Sequence, residues 1–310
     1  DGFKPSQRKV LFACFKRKLR AEIKVAQLAG YVSEHAAYHH GEMSLNGTIV
    51  GMAQNFCGSN NINLLVPSGQ FGTRIQGGKD AASPRYIFTK IAPVTRFIFP
   101  EADDAVLNSQ EEDGLGIEPS HYMPVLPMVL VNGADGIGTG WSSSVPNYDP
   151  IDVIANLRRV IAGEEQEPMV PHFRGFHGTI EQKTGKGDKG AFAVRGVYEV
   201  TNDTTVEITE LPVGMWTQKY KEFLETLLEG NTKKDDGKSS QFSVKHSVTI
   251  KHFTENHTDT AVSFTLTFSA EKLAEAEKVG ILKVFKLESS ISVANMHLFD
   301  AKCRIKKYTG

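Results

Sequence analysis

Long apolar runs are missing. No stretch approaches the roughly 20 residues that a membrane-spanning helix needs, so no membrane partner is expected. Cysteine is scarce: Cys14, Cys57 and Cys303 lie far apart and none belongs to a CxxC pair. That argues against a zinc site and a disulfide framework and fits a reducing compartment. No segment repeats. The opening stretch, DGFKPSQRKV, has neither an initiator Met nor a signal-peptide pattern, and reads as the start of a fragment of a longer chain.

What is present divides unevenly. Apolar residues make up 40% and charged residues 23%, enough for real cores, and 310 residues suggest two domains with a further element. The net charge of −1 hides an asymmetry. Residues 1–100 hold 13 Lys/Arg, including Lys4, Arg8, Lys9, Lys16 and Arg17, against 5 acids, a balance of +8; residues 101–310 balance to −9. A basic N-terminal third suggests a localised polyanion surface, with a solvated helix face as the plainer alternative.

Apolar spacing predicts helices over 5–20, 24–37 and 43–56, with Pro5 suiting a first turn. The strand-like pieces NLLVP and TRIQ follow, separated by SGQFG. Three short helices and a small hairpin are the plan of a winged helix, a helix-turn-helix variant that lays one helix on DNA. EADDAVLNSQEEDGLGIE (101–118) carries seven acids and no base and reads as a solvated loop. MPVLPMVLVNGADGIGTGW reads as a buried strand ending in a glycine-rich turn. Beyond about 172 the alternation in TTVEITELP and TAVSFTLTF marks half-buried strands. WTQKYKEFLETLLEG and AEKLAEAEKVG read as helices, and NTKKDDGKSSQ as a polar loop.

Four motifs bear on chemistry. In SPRYIFT, Ser83 is a candidate N-cap and Pro84 a first helical position, which places Arg85 and Tyr86 in the first turn. Amides there favour a phosphate. The same field and the guanidinium favour a phenolate over a phenol of ordinary pKa about 10. Read locally, a packed tyrosine beside a surface cation is the simpler account. In YHHGE, adjacent histidines point to different faces, so a shared metal ion is not expected; one can hydrogen-bond a phosphate or sit in a capped turn. NGADGIGTG does not fit GxGxxG, since Trp141 stands where the third glycine would fall. Ile137 within that turn is either an ordinary turn residue or an exposed wedge of the kind that enters base steps. Gly237-Lys238-Ser239 is no P-loop, because the required earlier glycine is Thr232.

Taken in order, DGFKPSQRKVLF, KVAQLAG, YHHGEMSL, GQFGTR, GGKDAASPRYIFT, NGADGIGTGW and KVFKLESS resemble the breakage-reunion core of the type IIA DNA topoisomerases, over nearly the whole chain. SPRYIFT and GQFGTR are closer to the eukaryotic enzymes than to the bacterial ones. The resemblance implies an α+β fold: a winged-helix domain at 1–127, a β-rich tower at 128–278, and the start of a coiled-coil region at 279–310. It implies Tyr86 as nucleophile, Arg85 as its transition-state partner and His40 beside the scissile phosphate. Lys4, Arg8, Tyr38, Lys283 and Lys286 would contact DNA, and Ile137 would be the wedge. It further implies double-stranded DNA as partner, a homodimer and a nuclear enzyme. Mg²⁺ would be held by a Toprim domain and ATP by another domain, neither represented in residues 1–310. The alternative is a catalytically silent module that binds and bends DNA.

Overall fold

The computed structural model describes residues 1–185, 190–229 and 248–308. They form two units: Asp1–Gly72 with Gly78–Arg174 and Val293–Gly310, and Thr73–Gly77 with Gly175–Ser292.

Apolar spacing lays down the first unit. Pro5 opens α1 (Pro5–Lys16), where its missing N–H leaves nothing unpaired, and the Lys4 amide donates to Gln7 Oε1 at 2.9 Å. Val10, Leu11, Ala13, Cys14 and Phe15 of α1 turn inward. Strand β1 (Ile23–Lys24) runs straight into α2 (Val25–His35), whose Val25, Leu28, Ala29 and Val32 are fully buried along one face. Leu45, Ile49 and Met52 of α3 (Glu42–Ala53) join them. With Leu65, Phe71, Ile87, Phe99 and Tyr122 these side chains make one core, and burying each Leu, Ile or Phe contributes about 1.5–3 kcal/mol. Strand β2 (Phe88–Thr89) pairs antiparallel with β1.

The unit continues through α4 (Thr95–Ile98), a 3₁₀ turn (Glu101–Val106) and the hairpin of β3 (Ser109–Glu112) with β4 (Leu115–Pro119). After α5 (Met128–Val131) come the hairpin β5 (Ala134–Ile137)–β6 (Ser142–Val145) and α6 (Pro150–Ala162). Asp149 caps α6 by accepting from the Ile151 amide, and Gly163 ends it in the left-handed region.

The second unit is mainly antiparallel sheet. Strands β7 (Thr179–Gln182) and β8 (Ala191–Arg195) form part of one three-stranded sheet. Strands β9 (Val197–Asn202) and β10 (Thr205–Glu210) belong to another of four strands. After α7 (Thr217–Thr226), β11 (His252–Glu255) and β12 (Phe264–Thr267) complete it in the order β11-β12-β10-β9. Val206, Ile208, Phe264 and Leu266 project alternately into a core with Tyr220, Phe223 and Leu224 of α7. Helices α8 (Ala270–Val279) and α9 (Ile281–Val284) add Leu273, Ala276, Ile281 and Val284. Strand β13 (Glu288–Ser292) closes the other sheet by pairing with β8. At Val293 the chain returns to the first unit, where β14 (Met296–Phe299) pairs with β15 (Ile305–Tyr308).

The three leading helices, the strands in TTVEITELP and TAVSFTLTF, and the helices α7 and α8 lie where spacing predicts. Several expectations are corrected. NLLVP and TRIQ do not pair: Leu65 bridges Ile91 instead, and Thr73–Gly77 belongs to the second unit. The acidic 101–118 stretch is not a solvated loop throughout, because Glu118 is buried against Lys9 at 3.0 Å. Met128–Val131 is a short helix rather than a strand. Residues 281–308 hold α9 and three strands instead of the start of a coiled coil. Gly280 at φ +102 and Lys286 at φ +51 break the helical path there. The units also do not follow boundaries at 127 and 278, since α5, the β5–β6 hairpin and α6 stay with the first unit. The Gly237-Lys238-Ser239 stretch lies outside the described residues.

Candidate nucleic-acid cleavage site

Ser83 to Tyr86 do not start a helix. They form a single tight turn, the Tyr86 amide donating to the Ser83 carbonyl at 2.9 Å, and β2 follows immediately. Proline second and serine first also suit a β-turn, and a turn is what forms. A helix N-terminus does lie beside the turn, but it is that of α2. The Val25 amide donates to the Ile87 carbonyl at 3.0 Å and the Ala26 amide to the Pro84 carbonyl at 3.1 Å. Those two amides of α2 are therefore engaged by the turn itself. Tyr86 therefore has no helix of its own to lend it a dipole.

Backbone pairing fixes the turn on its other side as well. Phe88 and Ser68 exchange both amide bonds, at 2.9 and 3.0 Å, and Thr89 Oγ1 donates to the Val66 carbonyl at 2.8 Å. Ile87 is buried in the core. Against it runs Gly69 at φ +114, where a Cβ would meet the Ile87 side chain at 2.9 Å. With its neighbours locked, the Tyr86 ring stands 70% exposed, with no hydrogen-bond partner on its hydroxyl among the described residues. Arg85 is exposed and its guanidinium lies 5.6 Å from the Tyr86 ring centroid. An accessible phenol and a cation thus share one rigid turn.

The other predicted residues of the first unit vary in availability. His40 is exposed just ahead of Gly41, the N-cap of α3, and Tyr38 is buried with its ring edge-on to His40 at 5.5 Å. His39 is exposed as well, but it is engaged by Glu112 at 2.8 Å. Lys4 is exposed at the N-cap of α1. Arg8 turns inward: it donates to Asp1 at 2.9 and 3.2 Å and to the Phe3 carbonyl at 3.2 Å, and burial lowers its pKa despite the opposing pull of Glu118. Ile137 is 96% exposed at the tip of the β5–β6 hairpin, where Gly138 donates to the Trp141 carbonyl and Gly140 takes φ +81. Trp141 packs edge-on to His297 at 5.5 Å.

Lys283 and Lys286 belong to the second unit. Lys283 is exposed on α9; Lys286 lies 4.7 Å from the Phe223 ring centroid, and burial lowers its pKa. Residues without a local signal also shape the site. The Gln54 side-chain amide donates to the Phe71 carbonyl at 2.9 Å and to Gly78 at 3.4 Å, holding the approach to Ser83. Nothing around Gln54 in sequence marks it for that task.

Magnesium finds no fitting donor set here. Among the described residues no three His, Cys, Asp or Glu converge. Of the acids of 101–118, Asp104 pairs with Arg96 and Glu118 with Lys9, and Glu112 lies 2.8 Å from His39 Nε2.

The family model for the A-type subunits of DNA gyrase and topoisomerase IV matches residues 1–310. DNA topoisomerase 2 of Arabidopsis thaliana is 52% identical over 308 residues, covering 99% of this chain and 20% of that protein. DNA topoisomerase 2-alpha of Homo sapiens is 51% identical over 309 residues, 99% of this chain and 19% of that protein. The crystal structure of the Plasmodium falciparum topoisomerase II DNA-binding, cleavage and re-ligation domain superposes with a TM-score of 0.91 at 50% identity, covering 100% of this chain and 40% of that one. The chain spans about a fifth of the length of these curated relatives. A match from the first residue to the last, in sequence and in shape together, leaves one conclusion: the chain belongs to the DNA gyrase/topoisomerase IV family of A-type subunits.

Proposed function

We propose that residues 1–310 are the DNA-binding and cleavage part of a eukaryotic-type, ATP-dependent type II DNA topoisomerase. The first unit carries the winged helix and the second contributes to the tower. The observation that supports this most directly is the exposed Tyr86 beside Arg85 on a turn whose backbone is hydrogen-bonded on both sides.

In this reading Tyr86 Oη gives up its proton and bonds to a backbone phosphorus of duplex DNA. The bond from phosphorus to the 3′ oxygen breaks, and that oxygen takes up a proton. One phosphoester replaces another, so the 5′-phosphotyrosine link stores the broken bond and religation needs no outside energy source. Arg85 supplies positive charge where the phosphorane carries more negative charge than the diester. His40, outward-facing ahead of α3, hydrogen-bonds a phosphate oxygen. Lys4 contacts the backbone, with the exposed cations Lys16, Arg17, Lys18, Arg20 and Lys24 setting the electrostatic surface, and Ile137 enters a base step.

One Tyr86 per protomer cuts one strand, so a double-strand break takes a homodimer acting in the nucleus. Magnesium, if held elsewhere in the protein, would supply positive charge at the phosphate. Because the described donors do not fit that ion, its ligands are assigned to a Toprim domain outside residues 1–310, and ATP to a further domain. The test supplies the Toprim segment, replaces Tyr86→Phe and measures denaturant-stable protein–DNA adduct. Loss of adduct with duplex binding retained is expected. An adduct that persists removes Tyr86 as the nucleophile, and the silent DNA-bending module becomes the better description.

A further inference from the structure

At Val293 the chain comes back to the first unit and runs along β6. The Ser144 amide donates to the Asn295 carbonyl at 2.8 Å, Asn295 Nδ2 donates to Ser142 Oγ at 2.9 Å, and the His297 amide donates to Ser143 Oγ at 3.2 Å. Asn295 Oδ1 lies 3.0 Å from His297 Nδ1, and the His297 ring meets Trp141 edge-on at 5.5 Å. Three consecutive serines are thus gripped by one strand. Ser142 is also the residue opposite Ile137 across the β5–β6 pair, so the β14–β15 hairpin is fixed beside the Ile137 tip.

That hairpin is basic within an otherwise acidic stretch: residues 293–308 hold four Lys/Arg and one acid. The acid is neutralised in place. Asp300 accepts from the Lys302 and Arg304 amides at 2.8 and 3.0 Å and from the Arg304 guanidinium at 3.0 and 2.8 Å. Lys302, Lys306 and Lys307 are exposed and make no ion pair among the described residues; Lys306 Nζ lies 5.0 Å from the Tyr308 ring centroid. Lys307 stands opposite His297 in the β14–β15 register, and directly opposed residues share a face, so Lys307 is on the face that His297 turns toward Trp141. The exposed surface therefore runs without a break from Ile137 through Trp141 to Lys307. A wedge in a base step bends the flanking duplex, and the cost of bending is offset by the contacts that the bend permits. Uncompensated cations beside the wedge fit the phosphates of such a flank. We propose that the β14–β15 hairpin is a second contact surface for duplex DNA, with Lys302, Lys306 and Lys307 taking phosphates on the arm that leaves the Ile137 wedge. This rests on duplex DNA being the substrate and Ile137 the wedge.

The test uses the full-length enzyme carrying Lys302→Gln/Lys306→Gln/Lys307→Gln, with duplex affinity measured by anisotropy across a salt series. Each phosphate contact contributes about 0.9 to the slope of log affinity against log salt, so the slope should become shallower by about 2 to 3. The fraction of bent complexes, read by energy transfer, should fall with it. Lys302→Arg/Lys306→Arg/Lys307→Arg keeps the charges and should keep the parent slope. An unchanged slope in the glutamine variant overturns the proposal. An equal loss of slope in the arginine variant overturns it too, since the lysines would then serve the fold rather than the phosphates. A shallower slope with an unaltered bent fraction overturns the placement on the bent arm. Ile137→Ala run alongside separates the failures. Normal bending there removes the wedge reading, whereas bending lost there and an unchanged slope in the glutamine variant remove only the hairpin contact. A parent enzyme whose duplex binding ignores salt removes the DNA reading itself.

Discussion

Ile137→Ala separates a side chain that works on DNA from one that works on the protein. At 96% exposure Ile137 has almost no contacts to lose, so the substitution should leave the folded protein's stability within about 0.5 kcal/mol. On DNA the balance differs. Fully burying an isoleucine is worth about 1.5–3 kcal/mol, and bending a site smoothly by 40–90° costs of order 1–6 kcal/mol. A seated wedge is thus comparable with the deformation it supports. Losing most of it should reduce the ratio of bent to unbent complexes about 10- to 100-fold, at 1.4 kcal/mol per factor of ten. Affinity should fall less, because phosphate contacts supply a large sequence-independent share of binding. Energy transfer between dyes on the two ends of a duplex reads the bend, and anisotropy reads the affinity. Unchanged bending at saturating protein would return Gly138–Gly140 to the role of an ordinary hairpin tip. So would a bend lost only together with a lowered melting temperature, because the side chain would then be serving the fold.

Two further outcomes follow from the first unit. Burial pushes the Cys14 thiol from 9.0 up to about 12. The folded state holds that proton more tightly than the unfolded one, so this contribution to stability is whole below about pH 9 and is lost as pH rises toward 12. Cys14→Ala should flatten the alkaline loss between pH 8 and 10.5 in urea unfolding followed by circular dichroism, and an equal slope in both proteins would refute the linkage. Purified residues 1–310 should bind duplex in a salt-sensitive manner and fail to cut supercoiled plasmid in Mg²⁺, since no three candidate ligands converge among the described residues; linear product under those conditions would contradict the metal assignment.

The parts legible in sequence were those governed by neighbours. Val25, Leu28, Ala29 and Val32 are spaced for one helical face, and α2 forms there. Val206 and Ile208 alternate, and β10 forms there. The failures depended on distant partners. Glu118 sits in an acidic run, yet it is buried because Lys9, 109 positions away, reaches it. ESSIS (288–292) becomes a strand because β8 offers Ala191–Arg195 as its edge, a partner almost a hundred residues earlier. Of the residues the resemblance points to, Tyr86, Arg85, His40, Lys4, Ile137 and Lys283 are exposed, whereas Arg8 and Tyr38 have turned inward. Residue type alone does not report which way a side chain faces.

The misread turn at Ser83 changes the chemistry asked of Tyr86. Ser-Pro is both a helix-start signal and a turn signal, and the choice between them was made by β1 and α2. Once Val25 and Ala26 donate to the carbonyls of Ile87 and Pro84, those two helix-end amides are not available to a phosphate at this turn. Activation by the tyrosine's own helix therefore drops out. What the chain contributes is placement, through backbone pairing on both sides of the turn, and one adjacent cation, Arg85. On the proposed reaction, then, the turn supplies position to Tyr86, and Arg85 is the cation it places beside the phenol.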